Sequence, residues 1–359
     1  MDEPEGNGLE DRRAKRHHYN ADEDPVSARS YGRRDYDRLL YTPYFHRLAA
    51  VTQVVATTTE TALIHNRMTH SLKVAQLSRE LSETLLNQVD PELLVEMGGL
   101  SADVSAAAGL AHDLGHPPFG HIGEQQLDRA LLDREILEGY DGNAQTFRII
   151  TLLGVKKNTI PDHPGLDLSA ATRNAVLKYP IGYEDLAAEA AGGGVVWNHE
   201  SRPTDNTRPK FGYYSSDAEE YKLARDPHCL GANSRSLECQ VMDLCDDISY
   251  AVHDLEDFIR TGVITTTTLA SPPRGFETLI KGRIQATFLR RGEVESDAVR
   301  LADRGWKLAT GLLSADEEVF RPLQDPYRGT TEQQASLSAL SSFYIESFLS
   351  EVSIKDKEA

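Results

Sequence analysis

With 359 residues, 40% of them hydrophobic and 26% charged, the chain is long enough to bury a core without disulfide or metal staples. A formal net charge of -18 argues against a duplex-coating nucleic-acid binder, which meets phosphates with a basic face, so a polyanionic ligand has to be met locally. Three cysteines, Cys229, Cys239 and Cys245, lack C-x-x-C spacing, which argues against a zinc or redox pair and against a secreted disulfide framework. No apolar run reaches the roughly 18 residues of a membrane span, and the N-terminus has no apolar signal region. These features predict a cytoplasmic protein without membrane contact.

Residues 1–30 are polar and charged with almost no aromatic or branched side chains, a composition that predicts a disordered tail. From residue 31 apolar residues return, and Leu39, Leu40, Phe45, Leu48 and Val51 take helical spacing interrupted at Pro43. Apolar residues at three- and four-residue intervals predict further helices over 70–86, 102–114, 124–132, 143–153 and 237–259, with Gly or Pro between them. The Gly-rich stretch 191–210 lacks a G-x-x-x-x-G-K-[ST] pattern and reads as a surface loop, not a phosphate cradle. Past residue 265, helices are predicted over 276–289 and 333–349. Strand-like alternation is scarce and no internal repeat occurs, so the fold class is all-α and irregular. The predicted organisation is a tail over 1–30, a helical domain over 31–262 and a C-terminal helical region over 263–359.

Five of the twelve histidines, His65, His70, His112, His116 and His121, fall between residues 65 and 121. The segment GLAHDLGHPPFGH closes an apolar helix on His112 and Asp113, then breaks at Gly115, Pro117 and Pro118 into a turn carrying His116 and His121. Adjacent imidazole and carboxylate at a helix end suit a divalent cation, and His70 and Asp246 can complete four ligands. Taken singly, each residue has a bland alternative. A lone His70 on an apolar helix is more often a hydrogen-bonded half-buried residue, and Asp246 with Asp247 reads as a solvated helix face.

In combination, these residues resemble the HD-domain deoxynucleoside triphosphate triphosphohydrolases, the dGTPase-like family. The resemblance takes in HNRMTHSLKVAQ (65–76), AAGLAHDLGHPPFGHIGEQQLD (107–128), DGNAQTFRI (141–149), KFGYYSSD (210–217) and SLECQVMDLCDDISYAVHDLED (236–257), in the family's order. It implies an irregular helical HD-domain fold, a divalent metal ion such as Mg²⁺ or Mn²⁺ or another transition metal, and ligation by His70, His112, Asp113 and Asp246. Asp246 is preferred to Asp247 because the family's ligand lies four residues before a Tyr, here Tyr250. Asp246, Tyr250 and Asp254 also share one helix face by spacing.

The resemblance further implies that Tyr250, Asp254 and Gln53 face the deoxyribose and that Arg67 contacts phosphate. His121 and Glu124 form the proton-transfer pair, with their division of acid and base roles left open. His116 belongs beside the ligands or on a phosphate. Asn143, Gln145 and Arg148 read a base edge or a phosphate, against the alternatives of helix capping by Asn143 and surface exposure for the others. Lys210 is a candidate triphosphate contact.

The implied reaction converts a deoxynucleoside triphosphate, dGTP or several, to deoxynucleoside and tripolyphosphate. The competing readings are another HD-type substrate, a monophosphate, cyclic nucleotide or alarmone, and a catalytically silent nucleotide-binding regulator. Homo-oligomers are expected from the family, with single-stranded nucleic acid as a conceivable effector and no stable duplex DNA binding. The segment FYIESFLSEVSIKDKEA looks like one that continues into further helices in the family, so the C-terminal region is expected to be short.

Overall fold

The computed structural model describes residues 5–17, 29–52, 65–156, 165–191, 210–228, 230–231, 233–263, 274–290, 294–315 and 317–354. The described residues up to Tyr250 belong to one compact unit, and those from Ala251 to Glu351 to a second. No strand forms among them. The protein is all-α, as its patterning predicts.

The first unit contains α1 (Glu5–Arg13), α2 (Tyr31–Leu40), α3 (Pro43–Arg47), α4 (Arg67–Gln88), α5 (Pro91–Glu96), α6 (Ala102–Ala111), α7 (Gly120–Leu132), α8 (Gly142–Arg148), α9 (Ala170–Ala175), α10 (Tyr183–Ala191) and α11 (Ala218–Arg225). The long α12 (Leu237–Arg260) passes from the first unit into the second. The centre of the first unit is α6, whose sequence ADVSAAAGLA is mostly small and apolar past Asp103 and whose residues from Val104 to Ala111 are all buried. Small residues let neighbouring backbones touch it. A Cβ on Gly109 would lie 2.7 Å from Ala75 Cα of α4, and one on Gly32 of α2 would lie 2.8 Å from Val104 N. Helices α2 and α4 therefore pack on α6 closely, and both terminal turns of α6 are held in register.

The disordered tail expected at 1–30 is contradicted where residues 5–17 are described. Arg13 of α1 is fully buried, donating to Glu238, to Gly98 O and, at 3.3 Å, to the Tyr31 hydroxyl. Arg16 pairs with Asp35, and His17 meets Glu220 at 2.8 Å. Composition gauges apolar burial, whereas this segment is fixed by charge pairing with buried carboxylates.

The helical spacing is interrupted at Pro43 as expected: α2 ends at Leu40, and Pro43 opens α3 at its first position, capped by Thr42, where a missing N–H is harmless. The second unit has its own core of Val252, Ile259, Phe320, Leu323, Leu337, Leu340 and Tyr344. It contains α13 (Phe276–Arg290), α14 (Glu295–Ala315), α15 (Glu317–Phe320) and α16 (Thr331–Ser350). The division falls inside α12 at Tyr250, not at residue 262, because Val252 and Ile259 bury their side chains in that second core.

Candidate metal centre and active site

Three segments of the first unit converge on one point. His70 lies one turn into α4, whose start is closed by a reciprocal capping box between Asn66 and Thr69. His112 caps the C-terminal end of α6, and Asp113 follows it. The turn after Asp113 is pinned from three sides. Arg47 Nη2 donates to Leu114 O at 2.8 Å and His116 O at 2.9 Å, Tyr140 donates to Gly115 O, and Thr146 Oγ1 donates to His112 O at 3.1 Å while accepting from Gly115 N at 2.9 Å. A Cβ on Gly115 would sit 2.2 Å from Gly142 O, so the close approach of α8 requires glycine there.

His70, His112 and Asp113 are buried, each with a ligand atom within 4.8 Å of the others'. Asp246, from α12, brings Oδ1 to 2.9 Å from His70 Nε2 and 3.5 Å from His112 Nε2. Asp247 is exposed instead. His112 Nδ1 is bonded to Gly109 O at 2.8 Å, which fixes the ring, while its buried Nε2 has no aligned hydrogen-bond partner among the described residues. A ring held by one nitrogen with the other aimed at two carboxylates fits a divalent ion, and the mixed imidazole and carboxylate donors suit one. Burial alone would lower the His112 pKa, but Asp113 and Asp246 push it up to about 9. Burial likewise opposes the charge on Asp113, yet Arg67 and then His112 hold it well below the usual carboxylate range.

A second pair lies beside this cluster. His121 sits in the first turn of α7, its side chain 67% exposed, with Nδ1 3.3 Å from Glu124 Oε2. Glu124 is buried, and its Oε1 accepts from Gly142 N at 2.8 Å and Lys210 Nζ at 2.7 Å. Burial works against ionisation of Glu124, but the His121 hydrogen bond and the Lys210 charge keep it well below the ordinary range. His116 is buried between the two groups, its Nδ1 3.0 Å from Asp113 Oδ1 and its ring 6.0 Å from that of His121. Burial drives the His116 imidazole down to about 3 despite Asp113, so it is neutral at pH 7. Helix α7 begins four residues earlier than the predicted 124, because Phe119 takes a left-handed conformation, φ 68°, and starts the helix directly after the two prolines.

Several expected ligand contacts have protein partners. Arg67 Nη1 donates to Asp113 Oδ2 at 2.6 Å with both side chains buried, and Lys210 is held by Glu124. Asn143 does not cap α8; Asp141 does, accepting from Asn143 N at 2.7 Å and from its side-chain amide at 2.9 Å. Arg148 forks onto buried Asp217, both bonds at 3.0 Å, and stacks on Tyr214. Gln145 is half-buried. Tyr250 is 38% exposed, its ring edge-on to His70 at 6.3 Å. Asp254 belongs to the second unit, and Gln53 lies outside the described residues. Lys178, which motif reading passed over, donates to Asp246 Oδ2 at 3.1 Å. Arg47 and Tyr140 were equally silent, since a cation or phenol that binds a distant carbonyl leaves no local pattern.

The HD domain family matches residues 67–251, which contain every residue of the cluster. A deoxyguanosinetriphosphate triphosphohydrolase-like protein of Streptomyces coelicolor is 36% identical over 259 residues, covering 71% of this chain and 53% of its own length. Proteins of the same description from Mesorhizobium japonicum and Nitrobacter hamburgensis are 37% and 35% identical, covering 65% and 82% of this chain and 46% and 61% of their own lengths. The chain thus spans about half the length of the curated relatives it matches. No described helix is long and apolar enough to cross a membrane. His70, His112, Asp113 and Asp246 all lie within the family match, and the chain belongs to the HD domain family, where it is similar to the deoxyguanosinetriphosphate triphosphohydrolase-like proteins.

Proposed function

We propose that the chain hydrolyses deoxynucleoside triphosphates to deoxynucleoside and tripolyphosphate at this centre. The observation that carries the reading is the cluster of His70, His112, Asp113 and Asp246 beside an exposed His121 backed by a buried carboxylate. The names of the relatives supply the substrate class.

Water attacks the α-phosphorus, the bond from phosphorus to the 5'-oxygen breaks, and that oxygen needs a proton to leave. His70, His112, Asp113 and Asp246 are the residues to hold a divalent ion, which when bound supplies Lewis-acid polarisation of the phosphate. Exposure lets His121 reach the ester. Glu124 holds Nδ1 and leaves Nε2 as the nitrogen that delivers the proton. Glu124 is itself fixed by Gly142 N and Lys210, so the imidazole is steadied from behind. Tyr250, beside His70, supports a close wall against the sugar that disfavours a 2'-hydroxyl.

The test incubates the full chain with Mn²⁺ or Mg²⁺ and each deoxy- and ribonucleoside triphosphate, then separates the products. Deoxynucleoside plus tripolyphosphate is expected, with faster turnover in Mn²⁺ because two of the four donors are imidazoles. Monophosphate plus pyrophosphate, or equal rates for ribonucleotides, overturns the proposal.

A further inference from the structure

Lys178 lies just past α9, in a turn whose Leu177 O accepts from Cys239 Sγ of α12 at 3.4 Å. That contact sets the lysine against the face of α12 formed by Cys239, Asp243 and Asp246, at helical spacings of four and three. Its Nζ bridges Asp243 Oδ1 at 2.6 Å and Asp246 Oδ2 at 3.1 Å, and Arg235 pairs with the other oxygen of Asp243. Asp246 is thereby divided: Oδ1 faces the two imidazoles and Oδ2 faces the ammonium. On the other side of the cluster, Arg67 neutralises Asp113 in the same manner. Three carboxylates, Asp113, Asp243 and Asp246, thus stand against three cations, Arg67, Lys178 and Arg235.

We propose that Lys178 is a positioning counter-ion of the metal centre, holding Asp246 to one-oxygen ligation, weakening the grip on the dication and leaving the filled centre net positive toward a polyphosphate. The inference rests on the metal-centre reading given above. A balanced ion set binds a dication less tightly than two bare carboxylates do. In return, the ion's charge is left uncancelled and available to the anion. A lysine that served only to tether the turn to α12 would not separate these two affinities.

The test uses the full chain, stripped of metal by a chelator, with Lys178→Met, Lys178→Gln and Lys178→Arg. Calorimetry without nucleotide gives the affinity for Mn²⁺, and inorganic tripolyphosphate at saturating Mn²⁺ probes the anion. Lys178→Met should bind Mn²⁺ about tenfold more tightly and tripolyphosphate about tenfold more weakly, the effect of one unit charge near a dication in a wet site. Lys178→Gln, which keeps an amide donor for both aspartates if the methionine variant does not fold, should shift both affinities in the same directions. Lys178→Arg should stay within about threefold of the parent in both. Weaker or unchanged Mn²⁺ binding in the neutral variants overturns the proposal, as does a parallel change in both affinities. If the parent binds Mn²⁺ and the opposed shifts appear, the inference stands even where no deoxynucleotide is hydrolysed, so the two readings fail separately.

Discussion

His121 and Glu124 lie 3.3 Å apart, yet their surroundings differ so much that their substitutions should behave differently. His121 is largely exposed, so His121→Ala should fold, keep its metal and lose roughly 10²- to 10⁴-fold in kcat, the range for one proton-transfer group. Glu124→Gln retains an oxygen for Gly142 N and loses only the charge, so its kcat should fall less, and the double variant should be little worse than His121→Ala. Metal analysis beside active-site-normalised turnover decides this, and a metal-replete His121→Ala enzyme of near-normal kcat would falsify the assignment. The cluster itself was readable because His112 and Asp113 are neighbours embedded in Gly and Pro. Lys178 and Arg47 were not, because their partners lie 68 and 67 residues away and only folding makes them part of the site.

At the level of elements, the site depends on how α6 and α12 start. Glu238, in the first turn of α12, accepts from Arg13 of α1 and, at 3.1 Å, from Ser101 N, the cap of α6. One buried ion pair thus joins the beginnings of two helices, of which α6 ends at His112 and α12 carries Asp246 two turns on. Gly99, φ 88°, makes room for the guanidinium, since a Cβ there would lie 2.9 Å from it. Arg13→Met or Glu238→Gln alone should cost about 3–5 kcal/mol by stranding the other charge, and the double variant should lose much less than the sum. Urea unfolding of the four proteins measures this; strictly additive losses would mean the pair is not coupled. Charge pairing of this kind is why α1 escaped the composition, which saw only a polar tail. Helices α4 and α12 were legible nearly to their ends, whereas α5, α9 and α11 span too few turns to show a period, and the 21-residue α14 was not anticipated despite its length.

For the molecule as a whole, a charge of -18 opposes the approach of any nucleoside triphosphate, although the ion set at the centre is locally balanced. Beyond about one Debye length the net charge governs, and within the site the local set does. Added salt should therefore raise kcat/KM, by about threefold between roughly 10 and 150 mM, with kcat little changed. A steady fall in kcat/KM over that range would show that the local field already dominates at a distance.

The burial of α6 from Val104 onward also sets a timescale. Its residues from Val104 to Ala111 are all buried, so its amide protons are expected to be among the slowest of the unit to exchange with solvent. Helix α7 buries only Gly120 and Glu124 and can open locally far more often. Of the residues placed to hold the ion, His112 and Asp113 thus hang from the most buried helix of the unit, while His121 rides on one that opens more readily, free to adjust to an arriving phosphate ester without loosening its neighbours.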